Sequence, residues 1–118
     1  MVRIEQLAQA ALSRESLQLR SLTQDLLRGN PQLSETPRPS TDDPALLSVS
    51  ASLIELFASR LHQQPPAWAQ EIGPLPEPMF LVEAAGNFKR LRVLCETQSP
   101  ESLRKRGLYA PPTFLEFV

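Results

Sequence analysis

The sequence predicts an all-α fold: a small single-domain helical bundle of four main helices with a short terminal helix and Pro-rich connections. Three observations carry this expectation. Apolar residues recur at three- and four-residue intervals in successive segments, the period of one helix face. Twelve prolines against four glycines put rigid breaks between those segments. A length of 118 residues suits one core, since single domains commonly occupy roughly 100–150 residues. Apolar residues at 42% and charged residues at 21% place the chain among globular proteins, away from the charged, weakly apolar compositions that stay disordered.

The first 30 residues read as a helical hairpin. Ile4, Leu7, Ala8, Ala11 and Leu12 share one face of a first helix, with Arg3, Glu5, Gln6 and Gln9 outside. Ser13 is expected to cap the second helix, with Glu15 in its first turn at the positive end of the dipole. That helix carries Leu19, Leu22, Leu26 and Leu27 and ends at Arg28-Gly29-Asn30-Pro31, a cation, a glycine and a proline in the order that stops a helix. A single bent helix is the alternative, because neither Gly nor Pro separates the two. Arg14, Gln18, Arg20, Gln24 and Arg28 could face a nucleic-acid groove in a helix-turn-helix, but the solvated side of an amphipathic helix is favoured. The joint lacks a glycine, no third helix is close in sequence, and this half is net acidic.

Residues 31–44 hold four prolines with several Ser, Thr and Asp residues and read as a linker or surface loop. It ends in a helix start, Asp43 as the capping carboxylate and Pro44 at the first helical position. Core helices are expected over residues 45–98. The first runs from Ala45 to about Gln64, with Leu46, Val49, Leu53, Leu56, Phe57 and Leu61 on a face widened by Leu47, Ile54 and Ala58. It is the most apolar helix up to that point and is expected to be central, ended by Pro65-Pro66. His62 in its last turn reads as a surface or capping residue, since no set of further metal ligands accompanies it.

Trp68 and Ile72 are expected to pin a short helical turn onto the core. Gly73-Pro74-Leu75-Pro76-Glu77-Pro78 must be extended. A fourth helix is placed from Pro78 or Met79, aligning Phe80, Ala84, Phe88, Leu91 and Cys95, with Leu81, Ala85 and Leu94 beside them. Met79 to Val82 reads equally as a short buried strand, because four apolar residues do not fix the period. Gly86-Asn87 marks a kink or a boundary. Cys95, the single cysteine, excludes an internal disulfide and a multi-cysteine metal site and reads as a small buried hydrophobe.

Residues 99–118 concentrate the remaining information. Ser99 is expected to cap a short helix from Pro100 to Arg106 that stops at Gly107, with Leu103, Leu108, Phe114, Leu115 and Phe117 as apolar contacts. The net charge of −1 is unevenly spread: residues 1–78 hold six basic and nine acidic residues, residues 79–118 six and four. The candidate partner-binding residues are therefore Lys89, Arg90, Arg92, Arg104, Lys105, Arg106 and Tyr109, a basic and aromatic group of the kind in which interface energy concentrates. The same cations offer phosphate contacts, which makes a small DNA- or RNA-binding regulator the alternative function. No glycine-rich phosphate loop, paired metal-binding acids or Ser-His-Asp constellation stands in the sequence, so neither catalytic, cofactor-binding nor metal-ligating residues are assigned and a non-enzyme is expected. With no signal peptide and no apolar run of roughly 20 residues, a cytoplasmic protein away from the membrane is expected.

Pro66-Ala67-Trp68, Leu75-Pro76-Glu77-Pro78, and above all Ser99-Pro100 with Leu103-Arg104-Lys105-Arg106-Gly107 followed by Tyr109-Ala110-Pro111, resemble a group of small bacterial proteins well represented in cyanobacteria. Members or relatives of that group tend to be encoded beside a nucleotidyltransferase-like protein, in an arrangement similar to a toxin and antitoxin pair. The resemblance covers residues 65–115 and, more loosely, 5–28. It implies a non-catalytic companion or antitoxin subunit whose partner is a nucleotidyltransferase.

Overall fold

The computed structural model describes residues 2–29, 32–81, 89–112, 114 and 115. It is broadly all-α, as the periodicity predicts: α1 (Ile4–Leu12), α2 (Ser16–Gly29), α3 (Pro44–Arg60), α4 (Lys89–Gln98) and the short α5 (Glu101–Arg104), with two two-residue strands, β1 (Met79–Phe80) and β2 (Leu108–Tyr109). No helix among the described residues is long and apolar enough to cross a membrane.

α1 begins where the Gln6 side chain reaches back to accept the Arg3 N–H at 2.8 Å, satisfying one of the donors a helix start leaves open. It buries Ile4, Leu7, Ala8, Ala10 and Ala11. Ser13 does not cap α2 as expected; it closes α1, its N–H donating to Gln9 O. Arg14 then turns left-handed at φ 56°, while its N–H and that of Glu15 donate to the carbonyls of Ala11 and Ala10. This is the Schellman closure with arginine in the place usually held by glycine. Glu15 precedes α2, its carbonyl accepting from Leu19 N–H, so the two segments are separate helices. α2 buries Leu19, Thr23 and Leu26 and leaves Leu17 exposed.

The segment between α2 and α3 is less of a free linker than its composition suggests. It forms a 3₁₀ turn over Leu33–Glu35, and Leu33, Thr36 and Pro39 are buried. Three long-range hydrogen bonds fasten it: Leu33 N–H to Gln63 Oε1, Ser40 N–H to Glu5 Oε2, and Trp68 Nε1–H to Thr36 O at 2.7 Å. Trp68 therefore pins two segments at once.

α3 starts as predicted, with Asp43 Oδ1 accepting Ala45 N–H at 3.0 Å and Pro44 in the first turn. From Ser48 to Ala58 every residue but Glu55 is buried, and α1, both 3₁₀ turns (Leu33–Glu35 and Ala67–Glu71) and α5 pack against it. Such a helix is the wall on which the rest is assembled. Each fully buried Leu or Ile contributes about 1.5–3 kcal/mol by leaving water. α3 stops before Pro65-Pro66, through a second Schellman closure: His62 is left-handed at φ 56°, and His62 and Gln63 N–H donate to Ser59 O and Ala58 O. Leu61, expected on the apolar face, is exposed.

Met79 and Phe80 take the strand alternative. β1 and β2 pair in parallel, Met79 against Leu108 and Phe80 against Tyr109, so no helix starts at Pro78. Pro74, Pro76 and Pro78 keep the chain extended up to this point. The carbonyls of Arg106, Gly107 and Tyr109 then accept the N–H groups of Leu75, Met79 and Leu81. Gly107 turns the chain into β2 at φ 76°, a left-handed conformation that favours glycine. Ala84, Ala85, Gly86-Asn87 and Phe88 lie outside the described residues; α4 is described from Lys89.

Candidate interaction surface

The Arg104-Lys105-Arg106 run begins at the last residue of the four-residue helix α5 and continues into the turn after it, which sends successive side chains to different sides. Its three cations meet three fates. Arg104 is exposed and donates through Nη1 to Thr97 O, at the end of α4, at 3.3 Å. Lys105, 47% exposed at its side chain, pairs with Glu55 Oε2 at 2.8 Å. Arg106 is buried, with 2% of its side chain accessible.

The burial of Arg106 corrects its assignment to a partner-binding surface. Its guanidinium pairs with Glu55 Oε1 and donates to Ile72 O at 3.1 Å, Ser102 O at 3.1 Å and Ala69 O at 2.7 Å. A five-donor planar group can satisfy several carbonyls and a carboxylate together, which is what permits a full charge inside this core. One side chain thereby ties α3, the turn Ala67–Glu71 and α5 together. Its charge is spent within the protein.

Ser99 likewise serves the C-terminal segment by a different route from the one predicted. Pro100 occupies the cap position of α5 without a side-chain cap. The buried Ser99 hydroxyl instead accepts Ala110 N–H at 2.9 Å, and the carbonyls of Ala110 and Cys95 stand within its donating reach. The end of α4 is thus fastened to the exit of β2.

On the outer side, Lys89, Arg90 and Arg92 of α4 are exposed. Arg92 lies over the Phe80 ring, 5.4 Å from its centroid, and Phe80 packs against Tyr109 at 5.6 Å between centroids. Arg92 also pairs with Glu96 one helical turn on, at 3.3 Å, with both side chains about half exposed, so this bond is weak. The parallel register Phe80–Tyr109 builds the aromatic platform, and α4 supplies the cation over it. Of the seven predicted residues, Arg92 and Tyr109 are brought together; Lys89 and Arg90 extend the same helix; Arg104 sits at its far end; Lys105 and Arg106 turn to Glu55. Phe80 is the member that sequence reasoning missed, because it was aligned with helical core positions rather than with Tyr109.

Cys95 is buried. Burial, and after it the Glu96 carboxylate, raise its thiol above the ordinary value, so the sulfur is held protonated. Among the described residues, no group of three or more His, Cys, Asp or Glu side chains is placed to hold a metal ion. No protein-family model, curated protein or solved structure matches the chain.

Proposed function

We propose that this chain is a non-catalytic companion subunit that binds a protein partner, acting as the antitoxin-like member of a pair with a nucleotidyltransferase. The observation that carries this reading is the platform of Phe80 and Tyr109 with Arg92 laid over it and Lys89 and Arg90 exposed on the same helix. A half-buried aromatic pair flanked by cations supplies contact area and charge together, which suits an acidic, partly apolar surface. The resemblance of residues 65–115 to companions of nucleotidyltransferases points to such an enzyme, whose metal-binding carboxylates would present the negative charge. Arg92, Arg104 and Tyr109 are the residues assigned to contact.

Co-expression of the tagged chain with the product of its neighbouring gene tests this. A stable complex is expected, lost on Arg92→Glu together with Arg104→Glu while circular dichroism stays helical. Recovery of no protein partner, or a complex indifferent to both reversals, overturns the reading.

A second reading follows from the same platform. Stacked aromatics beside exposed cations are also how single-stranded nucleic acid is held, and binding of that kind weakens steeply with salt. A gel shift with single-stranded RNA and DNA at low salt separates the two readings.

A further inference from the structure

α2 packs on α1 with one face and carries, on another, a projecting side chain and a recess. Leu17 is 84% exposed, more than any other large apolar side chain among the described residues. Further along the helix, Gln24, Leu27 and Arg28 line an open groove of about 330 Å³ whose fourth lining residue is Leu61, just past the end of α3 and 44% exposed. Residues three, four and seven apart share a helix face, so Leu17, Ser21, Gln24 and Arg28 form one stripe, with Ser21 and Arg28 exposed and Gln24 half-buried. A leucine exposed by itself needs no explanation. One that shares a stripe with an apolar groove makes that stripe complementary to itself.

We infer that this face binds a second copy of the chain, α2 against α2, antiparallel about a two-fold axis. Leu17 of each copy then enters the groove of the other as a knob held by four residues, the self-complementary contact that two-fold pairing requires. The spacing serves both halves of the contact. Leu17 lies four residues before Ser21 and Gln24 four before Arg28, so setting Leu17 against Arg28 of the second copy brings Ser21 opposite Gln24, a hydroxyl against an amide. Ser21 is small and stands beside the axis, where the helices come closest. Arg28 lays its aliphatic stem along Leu17 and keeps its charge in water. A parallel pairing would set Arg28 on Arg28 and leave both grooves empty, so charge and shape select the same orientation. α2 has 14 residues, a length of about 21 Å. A contact along one such helix falls below the roughly 1,200 Å² of a standard interface, and the dimer is accordingly weak and concentration-dependent.

Sedimentation equilibrium of the full chain, from roughly 10 µM to 1 mM to cover a weak interface, tests the pairing. The mean mass should rise from monomer toward dimer across that range. Leu17→Glu, at an exposed position, should keep the helical circular dichroism and abolish the rise, and Leu61→Ser should weaken association roughly tenfold by removing one wall of the groove. Orientation is read from a Leu17→Cys, Arg28→Cys variant treated with a bis-maleimide spanning roughly 8 Å, the separation of packed helices. Eleven helical residues hold the two thiols about 16 Å apart in one chain, so a 17-to-28 link joins two copies, and it should dominate the peptide map. A monomer at every concentration, self-association unmoved by Leu17→Glu, or links chiefly from 17 to 17 and 28 to 28 overturns the inference. So does a chain that stays monomeric while Leu17→Glu weakens its complex with the product of the neighbouring gene, since the face then belongs to that protein. Arg92 and Tyr109 take no part in any of these measurements' expected outcomes.

Discussion

Replacing Arg106 by Met keeps most of the side chain's length and removes its charge and donors. Three carbonyls, of Ala69, Ile72 and Ser102, then lose partners at 2.7–3.1 Å, and Glu55 keeps only Lys105. An orphaned buried acceptor costs about 1–3 kcal/mol, and breaking a buried ion pair from one side about 3–5 kcal/mol. The two figures overlap and do not add, so the expected loss is about 3–5 kcal/mol. Against a total of roughly 5–15 kcal/mol for a domain of this kind, that is a large share. With a urea slope of about 1.5 kcal/mol per molar, the unfolding midpoint should fall by roughly 2–3 M. Lys105→Met is the control one residue away. Its pair is half exposed at the lysine, so the loss should stay under about 1 kcal/mol after screening. Urea unfolding at neutral pH, followed by circular dichroism, compares the two. If Arg106→Met lowers the midpoint no further than Lys105→Met does, the assignment of Arg106 as the internal tie is wrong. A Glu55→Gln, Arg106→Met double variant should lose less than the sum of its parts, since the two groups share one bond.

Further perturbations have equally definite outcomes. Arg14→Gly and His62→Gly, at the two left-handed helix closures, should each raise stability by roughly 0.5–1 kcal/mol in a thermal melt, the relief of the left-handed backbone exceeding the added entropy of the unfolded chain. Gly107→Ala should do the reverse at φ 76°, lowering stability by about 1–2 kcal/mol. Ser99→Ala leaves the buried Ala110 N–H without its partner and should cost about 1–2 kcal/mol. Cys95, raised by burial and then by Glu96, should resist a thiol reagent in the folded protein and react on unfolding. Since the unfolded chain releases this proton near roughly pH 8.5 while the folded chain still holds it, stability should decline as pH rises above that value.

What could be read from the sequence depended on whether the signal was local. Asp43-Pro44 names a helix start within two residues, and the spacing of Leu46, Val49, Leu53 and Phe57 names the buried helix that follows. The turn at Arg14 was not legible, because the left-handed position is filled without glycine. Ser99-Pro100 has the form of a cap, yet the hydroxyl is claimed by Ala110, a tertiary contact that overrides the local preference. Lys105-Arg106 in a run of cations has the form of a solvated stretch. The one sign against it lay elsewhere, in Glu55: a lone carboxylate within the apolar body of α3 requires a cation brought to it. Which of the three basic residues supplies it is decided by the turn after α5, and short range pattern does not contain that information.

The placement of Arg106 also sets an order on assembly as the chain is made. Glu55, Ala69 and Ile72 leave the ribosome before the residue that neutralises and caps them, and synthesis proceeds at roughly 5–20 residues per second. For that interval α3 carries an acidic group against an unfinished wall, with the carbonyls of Ala69 and Ile72 still answered by water. The nascent chain therefore holds an open flank that only its own C-terminal segment can shut. A ribosome stalled between Ile72 and Arg106 would display that flank, and protease sensitivity there should vanish once residues up to Ala110 have emerged.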